Sequence, residues 1–487
     1  MSLLKGLISN SIVYSLPPII SSVGNLILLP IWTAYLSPTD YGILTMLAVA
    51  GNIMTLLVWL NINSGVLRFY HQYQGEERPK YLGTMAIGVL VWSLLVSSVF
   101  IVFIHFLSGL FFSEESNKYL PFMVAEVCIV FTSASSIIIG AIYINQQKSK
   151  KWSLLQLISW VLTVMFSIYF VVYGGEGAWG KVKGQLIVAI CLFFVYWVLS
   201  LKYLAWCFSW RIFKETLLFG MPLLFKGASQ FAFQYSGRWI LERTSSLDQV
   251  GLYGFSDSVA QLMRVPFRAF STAWMPVFYK EATADPEAAK SLTREMSFYW
   301  AIFMLSVTLI FCLNIKSLII LLVNVRYQVD VVYQSIAILA LGYFLASLQV
   351  FFIYSLGFMK KTMSIFMASL LAAVLNLGLN LTLIPTYGIL AAAWATVAAY
   401  SVSLVYMGVR SQKLFRVSFK WALFARGLLL ALAAYGTSAL LPLENPWFSL
   451  AANTGLFTLY LVGLLAFGVV QPAMLKEAWT RIANARD

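Results

Sequence analysis

Charge is what this chain has least of. Only 11% of its 487 residues are Asp, Glu, Lys or Arg, whereas 60% are hydrophobic and the mean hydropathy is +0.82. Soluble domains carry about 25% charged residues, so this balance excludes an ordinary soluble fold and specifies an integral membrane protein. Histidine is nearly missing, with His71 and His105 alone. The four cysteines, Cys128, Cys191, Cys207 and Cys312, fall in or at the ends of apolar runs. None has metal-ligand spacing, which argues against a zinc site and a disulfide framework. The short alternating strands of an outer-membrane barrel are missing, as is a Walker-type phosphate loop. No cofactor and no direct ATP hydrolysis are expected. After Lys5 the apolar stretch is too long for a cleavable signal and lacks a small-residue cleavage site, so it is expected to remain as a span.

What is present is a series of apolar runs of about 18–25 residues, the length a helix needs to cross a bilayer. They predict an all-α polytopic membrane protein of about fourteen transmembrane helices. The expected division is an N-lobe over 1–210, a C-lobe over 211–422, and a C-terminal helix pair with a tail over 423–487. The net charge of +14 is explained by where the charge lies. Lys118, Lys181, Lys183, Arg243 and Arg326 fall in the outer loops, and Lys226, Arg238, Arg264, Arg268 and Lys316 within spans. The remaining Lys and Arg belong to the side of the N-terminus. This positive-inside bias predicts cytoplasmic termini and accounts for the charge without nucleic-acid binding.

Two neighbouring runs break the rule that spans are greasy. In Glu215 to Arg243, the residues Lys226, Gln230, Gln234 and Arg238 recur every four positions; in Gly251 to Met275, Asp257, Gln261, Arg264 and Arg268 recur every three or four. At 3.6 residues per turn each set makes one polar stripe along a helix. An ionised side chain facing lipid costs several kcal/mol or more, so both stripes are expected to face protein or water. They read as walls of a hydrated, mainly cationic pathway.

An internal repeat accompanies the stripes. Leu36-Ser-Pro-Thr-Asp-Tyr-Gly42 resembles Ser246-Leu-Asp-Gln-Val-Gly251, and Phe69-Tyr70 resembles Phe278-Tyr279, both at an offset of 209 positions. At that offset Asn25 falls on Gln234 and Asn52 on Gln261. Six spans per half give parallel repeats, with the pathway expected between them.

These stretches, with Gly65-Val-Leu-Arg-Phe-Tyr70 and Arg326-Tyr-Gln-Val-Asp-Val-Val332, resemble the polysaccharide-biosynthesis oligosaccharide flippases of the multidrug/oligosaccharidyl-lipid/polysaccharide exporter superfamily. The resemblance runs from about Met1 to Arg410. It implies two six-helix lobes around a central cavity and alternating access. It also implies a bacterial inner-membrane location and an undecaprenyl-diphosphate-linked oligosaccharide as substrate. Membrane lipid is a second expected partner, with polymerase and chain-length proteins of the same pathway. In lipid II flippases an extra helix pair helps form a groove for the lipid tail, a role carried over to 424–470 only as a possibility.

A diphosphate crossing a low-dielectric zone needs cations, and Arg offers a forked donor set for its oxygens. Lys226, Arg264 and Arg268 are expected near the cytoplasmic entrance and Arg238 near the outer end. Snorkelling, or pairing with Asp257 and Glu242, is the plainer alternative for them. Asp257 and Glu126 are candidates for ion coupling, with an ion-pair network as the rival for Asp257. Gln230, Gln234, Gln261, Asn25 and Asn52 are candidates for binding sugar hydroxyls, or else glue between helices. A multidrug exporter of the same superfamily and a membrane glycan polymerase or ligase are the alternative functions. The cationic bias disfavours the first, and the short outer links disfavour the second.

Overall fold

The computed structural model describes the backbone of residues 2–113, 116–441 and 445–470; the side chains at 2–12, 15, 222–230, 232 and 325 lie outside the description. Among the described residues every regular element is helical. The chain divides into two compact units, Ser2–Gly254 and Phe255–Asp487. The lobe boundary expected at 210 concerns the sequence repeat and stands as a proposal beside this division by contact.

The first unit holds α1 (Ser2–Ile27), α2 (Leu29–Tyr35), α3 (Pro38–Trp59), α4 (Ile62–Phe69), α5 (Glu77–Val102), α6 (Ile104–Phe111), α7 (Leu120–Ser133), α8 (Ser136–Asn145), α9 (Ser149–Ile168), α10 (Gly177–Leu201) and α11 (Trp210–Thr244). The division falls inside α12 (Leu247–Ala260). The second unit continues with α13 (Arg264–Ala284), α14 (Pro286–Leu322), α15 (Val329–Leu348), α16 (Val350–Phe358), α17 (Thr362–Leu414), α18 (Trp421–Leu440) and α19 (Pro446–Ala466).

Ten of these helical stretches are long and apolar enough to cross a membrane, and the bent pair Leu16–Ile27 with Leu29–Tyr35 makes an eleventh. That pair turns by 47° at Leu28, not at the adjacent Pro17 and Pro18, which lie inside α1. The stretch Thr362–Leu414 counts once but contains Gly388 at φ 57 and ψ −137, a conformation essentially confined to glycine, so it is two helices joined at a kink. α11 and the pair α12–α13 are less apolar than these, because they carry the two polar stripes. The protein is thus an all-α, multi-pass membrane protein.

Local sequence explains the element ends. Ser37 caps α3 by accepting from the Asp40 N–H while Asp40 accepts from Ser37, with Pro38 at the first helical position. Asp40 also accepts from Ala178 N at 3.0 Å, tying the start of α10 to the start of α3. Asp285 caps α14 in the same way, accepting from Glu287 and Ala288. The second unit packs around an aromatic core in which Phe270 stacks on Trp300 at 4.0 Å. The C-terminal pair docks on α14 through Asn453, which donates to Leu313 O at 2.6 Å and accepts from Ser438.

The repeat offset of 209 reappears as a spatial pairing within the first unit. Thr39 donates to Asp248 at 2.5 Å, and these residues occupy equivalent repeat positions. A Cβ on Gly42 would stand 2.0 Å from Leu247 O, and one on Gly251 would stand 1.9 Å from Pro38 O. The two glycines are 209 apart, as are Pro38 and Leu247. The contact is therefore reciprocal, and it closes only where neither helix start carries a side chain.

Candidate functional site

The expected second stripe is not one continuous helix. A single 3-10 turn, Gln261–Met263, separates α12 from α13. Pro266 gives the reason: it has no N–H, and its ring crowds the carbonyl four residues earlier, at Leu262. The break still leaves Asp257, Gln261 and Arg264 close enough to share partners.

Those partners come from α15 and α17. Tyr343 donates to one oxygen of the buried Asp257 carboxylate, and Gln261 Nε2 donates to the other at 2.8 Å. The Arg264 guanidinium lies 4.5 Å from the centre of the Tyr343 ring and donates to the Tyr400 hydroxyl at 3.1 Å. Gln349 fastens this corner by donating to Tyr400 O at 3.2 Å. Asp257 and Arg264 thus belong to one network but are bridged by Tyr343 rather than joined in a direct salt bridge. A cation–π contact and one hydrogen bond to a neutral hydroxyl leave most of the five guanidinium donors of Arg264 for another acceptor. Arg268, a turn further along α13, is exposed and has no ion-pair partner among the described residues.

The first stripe divides differently. Lys226 and Gln230 lie outside the described side chains. Gln234 is half-buried and its carbonyl accepts from Arg238 at 3.2 Å. Arg238 is buried, with its guanidinium 5.0 Å from the Tyr235 ring centre. The C-terminal end of α11 is clamped to the end of α6. Trp239 donates to Leu110 O, and Arg243 donates to Gly109 O and Leu110 O. The buried Glu242 accepts from the Ser113 N–H at 2.6 Å and hydroxyl at 2.8 Å. Arg238 thus sits beside a structural clamp.

The remaining expected residues fall in two places. Asn25 is exposed and accepts from the Trp160 indole at 3.3 Å. Asn52 and Glu126, by contrast, line one cavity of about 400 Å³ inside the first unit, together with Lys181. Lys181 was expected in an outer loop; it stands instead in the second turn of α10, its ammonium 4.9 Å from the Trp32 ring centre.

Sequence reading missed Tyr343, Tyr400, Gln349 and Lys181. It also missed the Asn376–Asn380 hydrogen bond of 2.9 Å buried in α17. The second unit has an apolar groove of about 850 Å³, bordered by Phe298, Leu345, Phe352, Val405, Trp421 and Phe424. Lys413 and Lys420 stand at its rim, and Lys420 pairs with Glu295 at 2.5 Å. The groove uses α18, one member of the C-terminal pair.

Comparisons with known proteins agree with this architecture. A lipid II flippase MurJ structure in an inward closed conformation superposes with a TM-score of 0.76 at 14% identity, covering 92% of this chain and 98% of that one. An inward-facing multidrug resistance MATE family transporter of the MOP superfamily matches with a TM-score of 0.64 at 14% identity, over 84% and 99% of the two chains. The MATE multidrug transporter DinF-BH in complex with R6G gives 0.60 at 17% identity, over 85% and 97%. At these identities the likeness establishes the fold. No curated protein matches the sequence. The profile of one family, described as polysaccharide biosynthesis protein, matches residues 7–281, more than half of the chain. With that match and the shared transporter fold, the chain belongs to the polysaccharide biosynthesis protein family.

Proposed function

We propose that this protein is a flippase that moves a polyprenyl-diphosphate-linked oligosaccharide, of the undecaprenyl class, from the cytoplasmic to the outer leaflet of a bacterial inner membrane. Membership of a polysaccharide biosynthesis family and the transporter fold support the transport class. The observation that carries the substrate reading is Arg264, a half-buried cation whose guanidinium keeps donors in reserve. A diphosphate is the acceptor such a fork fits. Lys226, Arg268 and, late in the cycle, Arg238 assist it, while Gln230, Gln234, Gln261, Asn25 and Asn52 meet hydroxyls. The chain makes and breaks no covalent bond in this account. Its cycle is alternating access driven by an ion gradient, with Asp257 or Glu126 as the coupling acid. Both termini are cytoplasmic, and the pathway's polymerase and chain-length proteins are its partners.

The apolar groove at α14–α18 supports a further part of this reading, a seat for the isoprenoid tail. Tail and head then travel in solvents suited to each. The test is reconstitution of the purified protein in liposomes, with movement of a fluorescent lipid-diphosphate-linked glycan measured against protein-free vesicles. The expected result is flipping of the glycan lipid with no extrusion of cationic dyes. Dye extrusion without glycan movement overturns the reading in favour of a multidrug exporter.

A further inference from the structure

The cavity of the first unit contains polar groups that the protein itself does not use. It lies among α3, α7 and α10, inside one unit, at about 400 Å³, a size within the range of small-molecule sites of about 300–1,000 Å³. Glu126 and Gln185 line it, and neither makes a hydrogen bond or ion pair with a described residue. Asn52 spends its amide N–H on Ala48 O at 2.6 Å, which leaves its side-chain oxygen uncommitted. The indole nitrogen of Trp59, another wall residue, is buried with no partner among the described residues. Lys181 rests its ammonium on the Trp32 and Tyr41 rings and has no carboxylate within ion-pairing distance among the described residues. Space for the carboxylate is built in at Gly51, where a Cβ would stand 1.8 Å from Glu126 Oε1.

Opposite charges in one cavity of a membrane protein ordinarily pair, because each is costly alone. Here they do not, and the groups beside them are amides, an indole N–H and hydroxyls (Thr55, Ser133). A proton needs the carboxylate alone, and a small cation takes only oxygen ligands, so either leaves the Trp59 indole N–H and the Lys181 ammonium without a purpose. A saccharide uses them all, since vicinal hydroxyls donate to a carboxylate and amide oxygens while its own oxygens accept from amide and indole N–H groups. We propose that this cavity is a glycan-recognition subsite specific for a sugar bearing a carboxylate, of the uronic acid class. Lys181 binds the sugar carboxylate, and Glu126 accepts from its hydroxyls, which leaves ion coupling to Asp257. The subsite rests on the flippase reading and names the substrate class that reading leaves open.

The test uses two lipid-diphosphate-linked disaccharides that differ only in a terminal glucuronate or glucose, with initial flipping rates in proteoliposomes. The wild type is expected to favour the glucuronate form by roughly tenfold, the scale of one charge-assisted hydrogen bond. Lys181→Met removes the preference between the two lipids, and Lys181→Arg restores part of it. Glu126→Gln slows both substrates, and Gly51→Ala reproduces that loss by displacing the carboxylate without removing it. Equal wild-type rates, or a preference that survives Lys181→Met, overturn the proposal. Should neither lipid move, the flippase reading fails, and equilibrium binding of methyl glucuronide against methyl glucoside to the purified protein still decides the subsite. Selective binding that Lys181→Met abolishes supports it; equal or undetectable binding of the two refutes it.

Discussion

At the scale of single residues, Tyr343 is the piece on which the second-unit site turns. One side chain donates to Asp257 through its hydroxyl and supports Arg264 through its ring. Removing the hydroxyl alone, in Tyr343→Phe, keeps the ring but strips the buried carboxylate of a donor. A hydrogen bond to a charged group contributes about 1.5–3 kcal/mol, so a fall in thermal stability of several degrees is expected by differential scanning fluorimetry. Unchanged stability would show that Gln261 holds Asp257 sufficiently. Arg264 and Asp257 were legible in the sequence, because charge inside an apolar run is rare enough to be informative. Tyr343 and Tyr400 were not, because the chain has 25 tyrosines and only the fold reveals which two meet these charges. Lys181 was misplaced for a related reason: one turn of helix separates an outer loop from a cavity wall, and a boundary read from hydropathy is not that sharp.

Elements show where sequence pattern succeeds and where backbone chemistry overrides it. The two stripes lie on helices as the three- and four-residue spacing required. Yet Pro266 forces a 3-10 turn at Gln261–Met263, and spacing alone does not show that. The glycine pair Gly42 and Gly251 was visible as part of a repeat, but its purpose was not. Each lets the start of its helix approach a carbonyl of the other to a distance no Cβ permits. Gly42→Ala and Gly251→Ala are each expected to lower the melting temperature and to slow flipping, and the double variant more so. Melting curves equal to the wild type would contradict the close approach. Gly388 has a different reason to be glycine, its backbone conformation, and Gly388→Ala is expected to cost about 1–3 kcal/mol. A chemical-denaturation midpoint equal to the wild type would exclude that strain.

For the whole molecule, composition and run length gave the fold class, and the family profile and superposed transporters agree with it. The apolar groove bordered by α14, α15, α16, α17 and α18 was hinted at only through the extra helix pair, since an apolar cleft leaves no polar pattern in the sequence. If it seats the lipid tail, Val405→Trp fills it and slows flipping of a long-chain polyprenyl substrate while sparing a short-chain one. Equal slowing of both would assign the groove a packing role.

The central claim is that Arg264 lies on the path of an anionic head group. It is tested most directly by flipping of a lipid-diphosphate-linked glycan in proteoliposomes containing wild type, Arg264→Lys or Arg264→Ala at matched insertion and thermal stability. The account predicts at least a tenfold loss of rate for Arg264→Ala and partial retention for Arg264→Lys, because lysine keeps the charge but loses the fork. A folded Arg264→Ala protein that flips at the wild-type rate would contradict it and reduce the Arg264–Tyr343–Asp257 network to a structural brace.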